Sequence, residues 1–141
     1  MVIWVQYFEI MSKLIYHWHS FVEVRHKEKI IYIDPFIEGN SSCDIKVKDA
    51  KCDYIILTHG HNDHYGSTED IARGKDVITI AMVELCDYLE KKGVKTHEMN
   101  LGGAHQFPFG RVKLTYNIIY LILSKKIGSR LFLIWYSSST R

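Results

Sequence analysis

Apolar and polar positions divide the chain into short blocks with turn residues between them. Lys13 to Tyr16 and Phe21 to Val24 read as short strands. Lys29 to Ile33 is a third, very apolar strand, ended by Asp34-Pro35. The polar tetrad Arg25-His26-Lys27-Glu28 fits a hairpin connection between the last two. Glu38 to Lys51 is polar, carries Gly39-Asn40-Ser41-Ser42, and reads as a loop. Cys52 to Thr58 is the next strand. Its run Tyr54-Ile55-Ile56-Leu57 lacks alternation, as in a strand covered on both faces. Ser67 and Asp70 form a capping-box-like pair before Ile71-Ala72, which predicts the start of a short helix. Val77 to Ala81 predicts another buried strand. Met82 to Lys92 predicts a helix with Val83, Leu85, Cys86 and Leu89 on one face and Gly93 in the left-handed cap. Val94 to Met99 predicts a strand, Gly102-Gly103 a break, and Phe107-Pro108-Phe109-Gly110 a turn into the strand Val112 to Thr115.

The order is hairpin, then β, α, β, α, β, then hairpin. It predicts an α/β fold: a mixed β-sheet flanked by helices. The 141 residues fit one domain with a real core. A hydrophobic share of 47% and a charged share of 24% are ordinary for a globular chain. A net charge of +2 is too small to argue for nucleic acid or an acidic membrane as a partner. Leu114 to Leu123 has about half of the roughly 20 residues a membrane span needs. Cys43, Cys52 and Cys86 are odd in number and share no C-x-x-C spacing, so reduced thiols and a cytoplasmic location are expected.

The chemistry concentrates in Thr58-His59-Gly60-His61-Asn62-Asp63-His64, where the apolar strand must end. Residues two apart on an extended segment point to the same side, so His59 and His61 can converge on one ion. Asp63 and His64 follow where the chain turns into a helix and can reach a second position. Imidazole with carboxylate suits a divalent metal, zinc first and manganese or iron next, as one or two ions. An ion so held lowers the pKa of its water to about 7, giving hydroxide at neutral pH. A neighbouring carboxylate can orient that water and accept its proton.

This segment, with Tyr65-Gly66, resembles the signature of the metallo-β-lactamase superfamily. Tyr16-His17-Trp18-His19-Ser20, Ile33-Asp34-Pro35-Phe36, Gly102-Gly103 and Phe109-Gly110-Arg111-Val112-Lys113-Leu114-Thr115 look like its UlaG-like, UPF0173-type metal-dependent hydrolase branch. The resemblance runs from about Met11 to Thr115. It implies the N-terminal half of an αββα sandwich. It matches His59 and His61 to ligands of a first metal, and Asp63 and His64 to ligands of a second. Asp63 would also be catalytic, orienting the attacking hydroxide. His19 and Asp34 would stand behind the ligands. Trp18 occupies a position where the family motif has glycine.

The resemblance also implies a downstream His, a bridging Asp and a final His. No His follows His105 and no carboxylate follows Glu98. His97 and His105 precede the Leu114-Thr115 landmark and read as surface residues. The expected division is therefore an unmatched extension at 1–10, an incomplete domain at 11–115, and a divergent, frame-shifted tail at 116–141. The second sheet would be missing, and the uncovered sheet face would promote self-association. The expected function is hydrolysis of an ester, lactone, amide or phosphodiester bond in a small-molecule substrate, impaired by truncation. The alternative is a non-catalytic metal-binding or oligomerising fragment. Lys125, Lys126 and Arg130 are too few, and too poor in stacking aromatics, to favour RNA cleavage.

Overall fold

The computed structural model describes residues 12–115 and, as backbone only, 118–122. The expected extension at 1–10 and most of the expected tail lie outside the described residues. Strands β1 (Lys13–Tyr16), β2 (Val22–His26), β3 (Lys29–Ile33), β4 (Tyr54–Ile56), β5 (Ile78–Met82) and β6 (Lys95–Met99) form one sheet in that order. β1, β2 and β3 pair antiparallel, while β3 to β6 pair parallel. A parallel pair needs a crossover. Between β4 and β5 run two short helices, α1 (Asn62–Tyr65) and α2 (Thr68–Ala72); between β5 and β6 runs α3 (Val83–Glu90). Gly93 takes φ 80° just beyond α3, as its capping position demands.

The helices cover one face of this sheet. Ile71, Ala72, Cys86 and Leu89 pack with Tyr32, Ile55, Leu57 and Ala81 in one buried cluster. The opposite face carries Val22, Val24, Ile31, Ile33, Tyr54, Ile56, Ile80 and Met99. β4 is therefore apolar throughout because it is buried on both sides.

The capping box is a correction. Ser67 makes no side-chain cap to α2. Its Oγ accepts the Glu38 N–H at 3.1 Å instead and ties the loop to the helix pair. The polar loop also contains one 3-10 turn, Val47–Asp49.

The missing second sheet is the larger correction. β7 (Ala104–Phe107), β8 (Gly110–Thr115) and β9 (Ile118–Ile122) form a three-stranded antiparallel sheet. Phe107, Phe109, Val112 and Leu114 cover the inner face of the first sheet and share its core. Tyr54 and Phe109 rings lie 4.5 Å apart, and Phe107 stacks on Phe109 at 5.3 Å. β9 extends this sheet beyond residue 115, with Leu114 opposite Ile119 and Val112 opposite Leu121. Among the described residues, the β1 edge of the inner face stays open. Leu14 and Tyr16 lie opposite Val24 and Val22, on the same face, and are 44% and 54% exposed.

Candidate metal centre

The candidate residues gather beyond the C-terminal ends of β3 and β4. Asp34 follows β3 directly, is fully buried, and takes φ 46°. This left-handed turn aims its carboxylate across at the end of β4. Oδ1 accepts the Thr58 N–H at 2.8 Å. Oδ2 accepts the Thr58 hydroxyl at 2.6 Å and lies 2.7 Å from His64 Nδ1. Three donors thus converge on one buried carboxylate.

That carboxylate decides which ring nitrogens face outward. The Thr58 hydroxyl has one hydrogen, given to Asp34, so it must accept from His59 Nδ1, 2.8 Å away. His59 then presents Nε2 as a lone pair. His64 gives Nδ1–H to Asp34 and likewise presents Nε2. Such hydrogen bonds orient metal-binding imidazoles and fix their tautomers. His59 Nε2 and His61 Nδ1 face each other at 3.0 Å. Two nitrogens bound to one tetrahedral ion at 2.0–2.1 Å stand roughly 3.3 Å apart. The pair fits a shared divalent ion with a shift of a few tenths of an ångström.

The other members stand further out. Asp63 Oδ2 lies 3.9 Å from His64 Nε2 and 3.5 Å from His19 Nε2. The His59 and His64 ring centroids are 4.1 Å apart, and those of His19 and His64 are 6.1 Å apart. The structure therefore brings His59, His61, His64, Asp63, His19 and Asp34 into one cluster. Among the described residues, no three His, Cys, Asp or Glu side chains converge as a metal cage. The donor chemistry fits a divalent ion; the number of converging donors is that of a part site.

Electrostatics separate the imidazoles. Burial, then the nearby His64 and His61, hold the His59 pKa below its ordinary value despite Asp34 and Asp63. Burial acts the same way on His64. There the Asp34 hydrogen bond and the charges of Asp34 and Asp63 outweigh it and raise the pKa. A low proton affinity keeps the His59 lone pair available near neutrality.

Two participants escape the metal-ligand pattern. Thr58 sets the His59 tautomer. Ser20 Oγ reaches both the Asp34 carbonyl, at 3.2 Å, and the Asp63 carbonyl. Both residues sit inside the quoted motifs, beside His59 and His19. Their hydroxyls carry no ligand signal of their own.

A sheet sandwich with an imidazole-rich turn at a central strand end is the architecture of the metallo-β-lactamase-like proteins. Residues 19–131 match the family model of the metallo-beta-lactamase superfamily, and the chain belongs to that superfamily. It is 52% identical over 103 residues to a UPF0173 metal-dependent hydrolase of a Geobacillus strain, across 73% of this chain and 46% of that protein. A UPF0173 metal-dependent hydrolase of Bacillus subtilis is also 52% identical, across 73% of this chain and 45% of that protein. The chain thus spans about half the length of the curated relatives it matches. Among solved structures it resembles Igni18, a metallo hydrolase of Ignicoccus hospitalis. Identity there is 26% and the TM-score 0.68, over 78% of this chain and 56% of that one. An isothiocyanate hydrolase from Delia radicum gut bacteria shares the fold at 18% identity, TM-score 0.58, over 73% of this chain and 46% of that one.

Proposed function

We propose that this chain carries the metal-binding turn of a hydrolase acting on an ester, lactone, amide or phosphodiester bond of a small molecule. The observation that supports it most is the His59 Nε2 and His61 Nδ1 pair, 3.0 Å apart, with Thr58 and Asp34 behind it. Zinc suits imidazole-rich donors best, with manganese or iron as alternatives, as one or two ions. In this reading His59 and His61 would hold the first ion, and Asp63 and His64 the second. A bound divalent ion would supply water acidic enough to ionise near neutrality. Asp63 would orient such a water and accept its proton. Its carboxylate keeps nearly half its exposure, which leaves it reachable by substrate. His19 steadies Asp63, and Asp34 holds His64. Residues 11–115 are the unit that carries the site. Among the described residues no helix is long and apolar enough to cross a membrane. The three free thiols support a cytoplasmic location.

A second reading is a non-catalytic metal-binding or oligomerising fragment. It is favoured by the lack of a three-donor cage among the described residues. Self-association would use the β1 edge, where Leu14 and Tyr16 are exposed. Elemental analysis of the purified chain, with phosphodiesterase and lactonase assays, separates the readings. The hydrolase reading, with its impairment, expects bound metal and slow turnover that Asp63→Ala abolishes. Rapid turnover abolished by Asp63→Ala would remove the impairment. Bound metal without turnover leaves the fragment reading, and absence of bound metal at saturating zinc refutes the hydrolase reading and leaves only an oligomerising fragment.

A further inference from the structure

His17 is a buried imidazole to which the chemistry above gives no part. It is 3% exposed, yet both ring nitrogens face carboxylates. Nε2 lies 3.0 Å from Glu23 Oε2, and Nδ1 bonds Asp44 Oδ1. Glu23 is itself 3% exposed and pairs with Arg25 Nε. The ring packs on Phe21 at 4.6 Å between centroids. His17 thereby ties β2 to the loop that follows β3, and removing it would leave the buried Glu23 carboxylate to its pairing with Arg25.

The chain beyond His17 is a strained turn. The His17 N–H donates to the Phe21 carbonyl at 3.0 Å, and the Phe21 N–H to the Trp18 carbonyl at 3.2 Å. Trp18 and His19 take φ 70° and 57°. Left-handed backbone costs about 1–2 kcal/mol per non-glycine residue. Two in succession persist only where the surroundings over-determine them. Asn40 supplies part of that restraint, donating Nδ2–H to the Trp18 carbonyl at 3.3 Å and the Phe36 carbonyl at 3.1 Å. The Tyr16 hydroxyl donates to the His19 carbonyl at 3.1 Å, and His17, clamped at both nitrogens, anchors the entry to the turn. The product of the strain is at the far side of the turn. Ser20 Oγ meets the Asp63 carbonyl, and His19 Nε2 stands 3.5 Å from the Asp63 carboxylate.

We propose that His17 is a positioning residue: held between Glu23 and Asp44, it locks the Trp18–Ser20 turn so that Ser20 and His19 fix Asp63 within the histidine turn. The proposal rests on the reading of that turn as the metal loop, but its first test needs no metal. Hydrogen exchange by mass spectrometry on the metal-free full chain compares wild type with His17→Ala, Asp44→Ala and Ser20→Ala. Exchange in peptides covering 59–66 is expected to rise about tenfold in His17→Ala, while strands 29–33 and 54–56 stay as in wild type. Ser20→Ala is expected to give the same rise, and combining it with His17→Ala to add nothing, since both cut one path. Zinc affinity by chelator competition is expected to fall about 10–100-fold, as when other groups that orient ligands are lost. Faster exchange confined to 12–26 and 40–50 would overturn the proposal, because His17 would then be merely structural. Should His17→Ala unfold the core strands as well, Asp44→Ala decides. Asp44 is exposed, so its loss spares the fold. Wild-type exchange at 59–66 in that variant overturns the proposal, and raised exchange supports it. A wild-type chain that shows this coupling yet binds no zinc would refute the metal reading alone.

Discussion

Asp34 is the residue on which the cluster turns. Its carboxylate takes three donors while fully buried, and its backbone sits at φ 46°. Asp34→Ala leaves the Thr58 N–H, the Thr58 hydroxyl and His64 Nδ1 without their acceptor. Breaking a buried pair of this kind costs about 3–5 kcal/mol, so urea denaturation should show an unfolding free energy lower by that amount. Gly66 is as constrained by space. It takes φ 48°, and a Cβ there would lie 2.5 Å from the Pro35 carbonyl oxygen and 2.6 Å from Phe36 Cα. Both contacts are backbone and cannot swing aside. Gly66→Ala should therefore destabilise by at least about 3 kcal/mol, combining backbone strain with overpacking. Trp18 predicts the opposite sign. At φ 70° and 55% exposed, it loses little on replacement, and Trp18→Gly should stabilise by about 1 kcal/mol, seen as a higher melting temperature. His59, His61, Asp63 and His64 were legible because ligand types crowd one strand end. Thr58, Ser20 and His17 were not, since their roles depend on Asp34, Asp63, Glu23 and Asp44, and all of these but Glu23 lie too far along the chain for spacing to reveal.

At the scale of elements, alternation and runs located the strands with a core-facing side. β3 was read with its observed bounds, and β4 and α3 were read a few residues too long. β7 was missed for a physical reason. Its Ala104, His105 and Gln106 are exposed and only Phe107 is buried, so this edge strand has no apolar period to read. The same strand explains the two late histidines. His97 lies opposite Ile80, and His105 opposite Val112, both on inner faces. The two rings meet in the seam between β6 and β7 at 4.3 Å, with Phe107 against both. Burial, then the His105 ring, lower the His97 pKa, with Glu98 opposing. The folded state therefore takes up a proton on His97 less readily than the unfolded chain. That stability is complete above the unfolded pKa of about 6.5 and is lost as pH falls through the depressed folded value. His97→Phe should flatten the acid side of the stability profile below about pH 6.5 and leave its alkaline side unchanged, as read by denaturation midpoints from pH 4.5 to 8.

At the scale of the whole molecule, the described residues hold a six-stranded sheet, its helical cover and three strands of a second sheet. The expected empty face is filled because Phe107 and Phe109, read from sequence as turn residues, belong to the core. The ligand count is the remaining question. Structural zinc sites use four ligands and catalytic sites three plus water, and affinity builds with each. Here one nitrogen pair converges, and Asp63 and His64 stand alongside without closing a cage. Zinc binding to this chain should then be micromolar or weaker, about −8 kcal/mol at best. Zinc at 100 times the dissociation constant should stabilise the fold by about 2.7 kcal/mol, visible as a higher melting temperature. His59→Ala and His61→Ala should each remove most of that shift, because either loss leaves one nitrogen of the pair. His97→Ala and His105→Ala, in the distant seam, should leave it intact. Nanomolar zinc affinity in the isolated chain would contradict this ligand count and require further donors from outside the described residues.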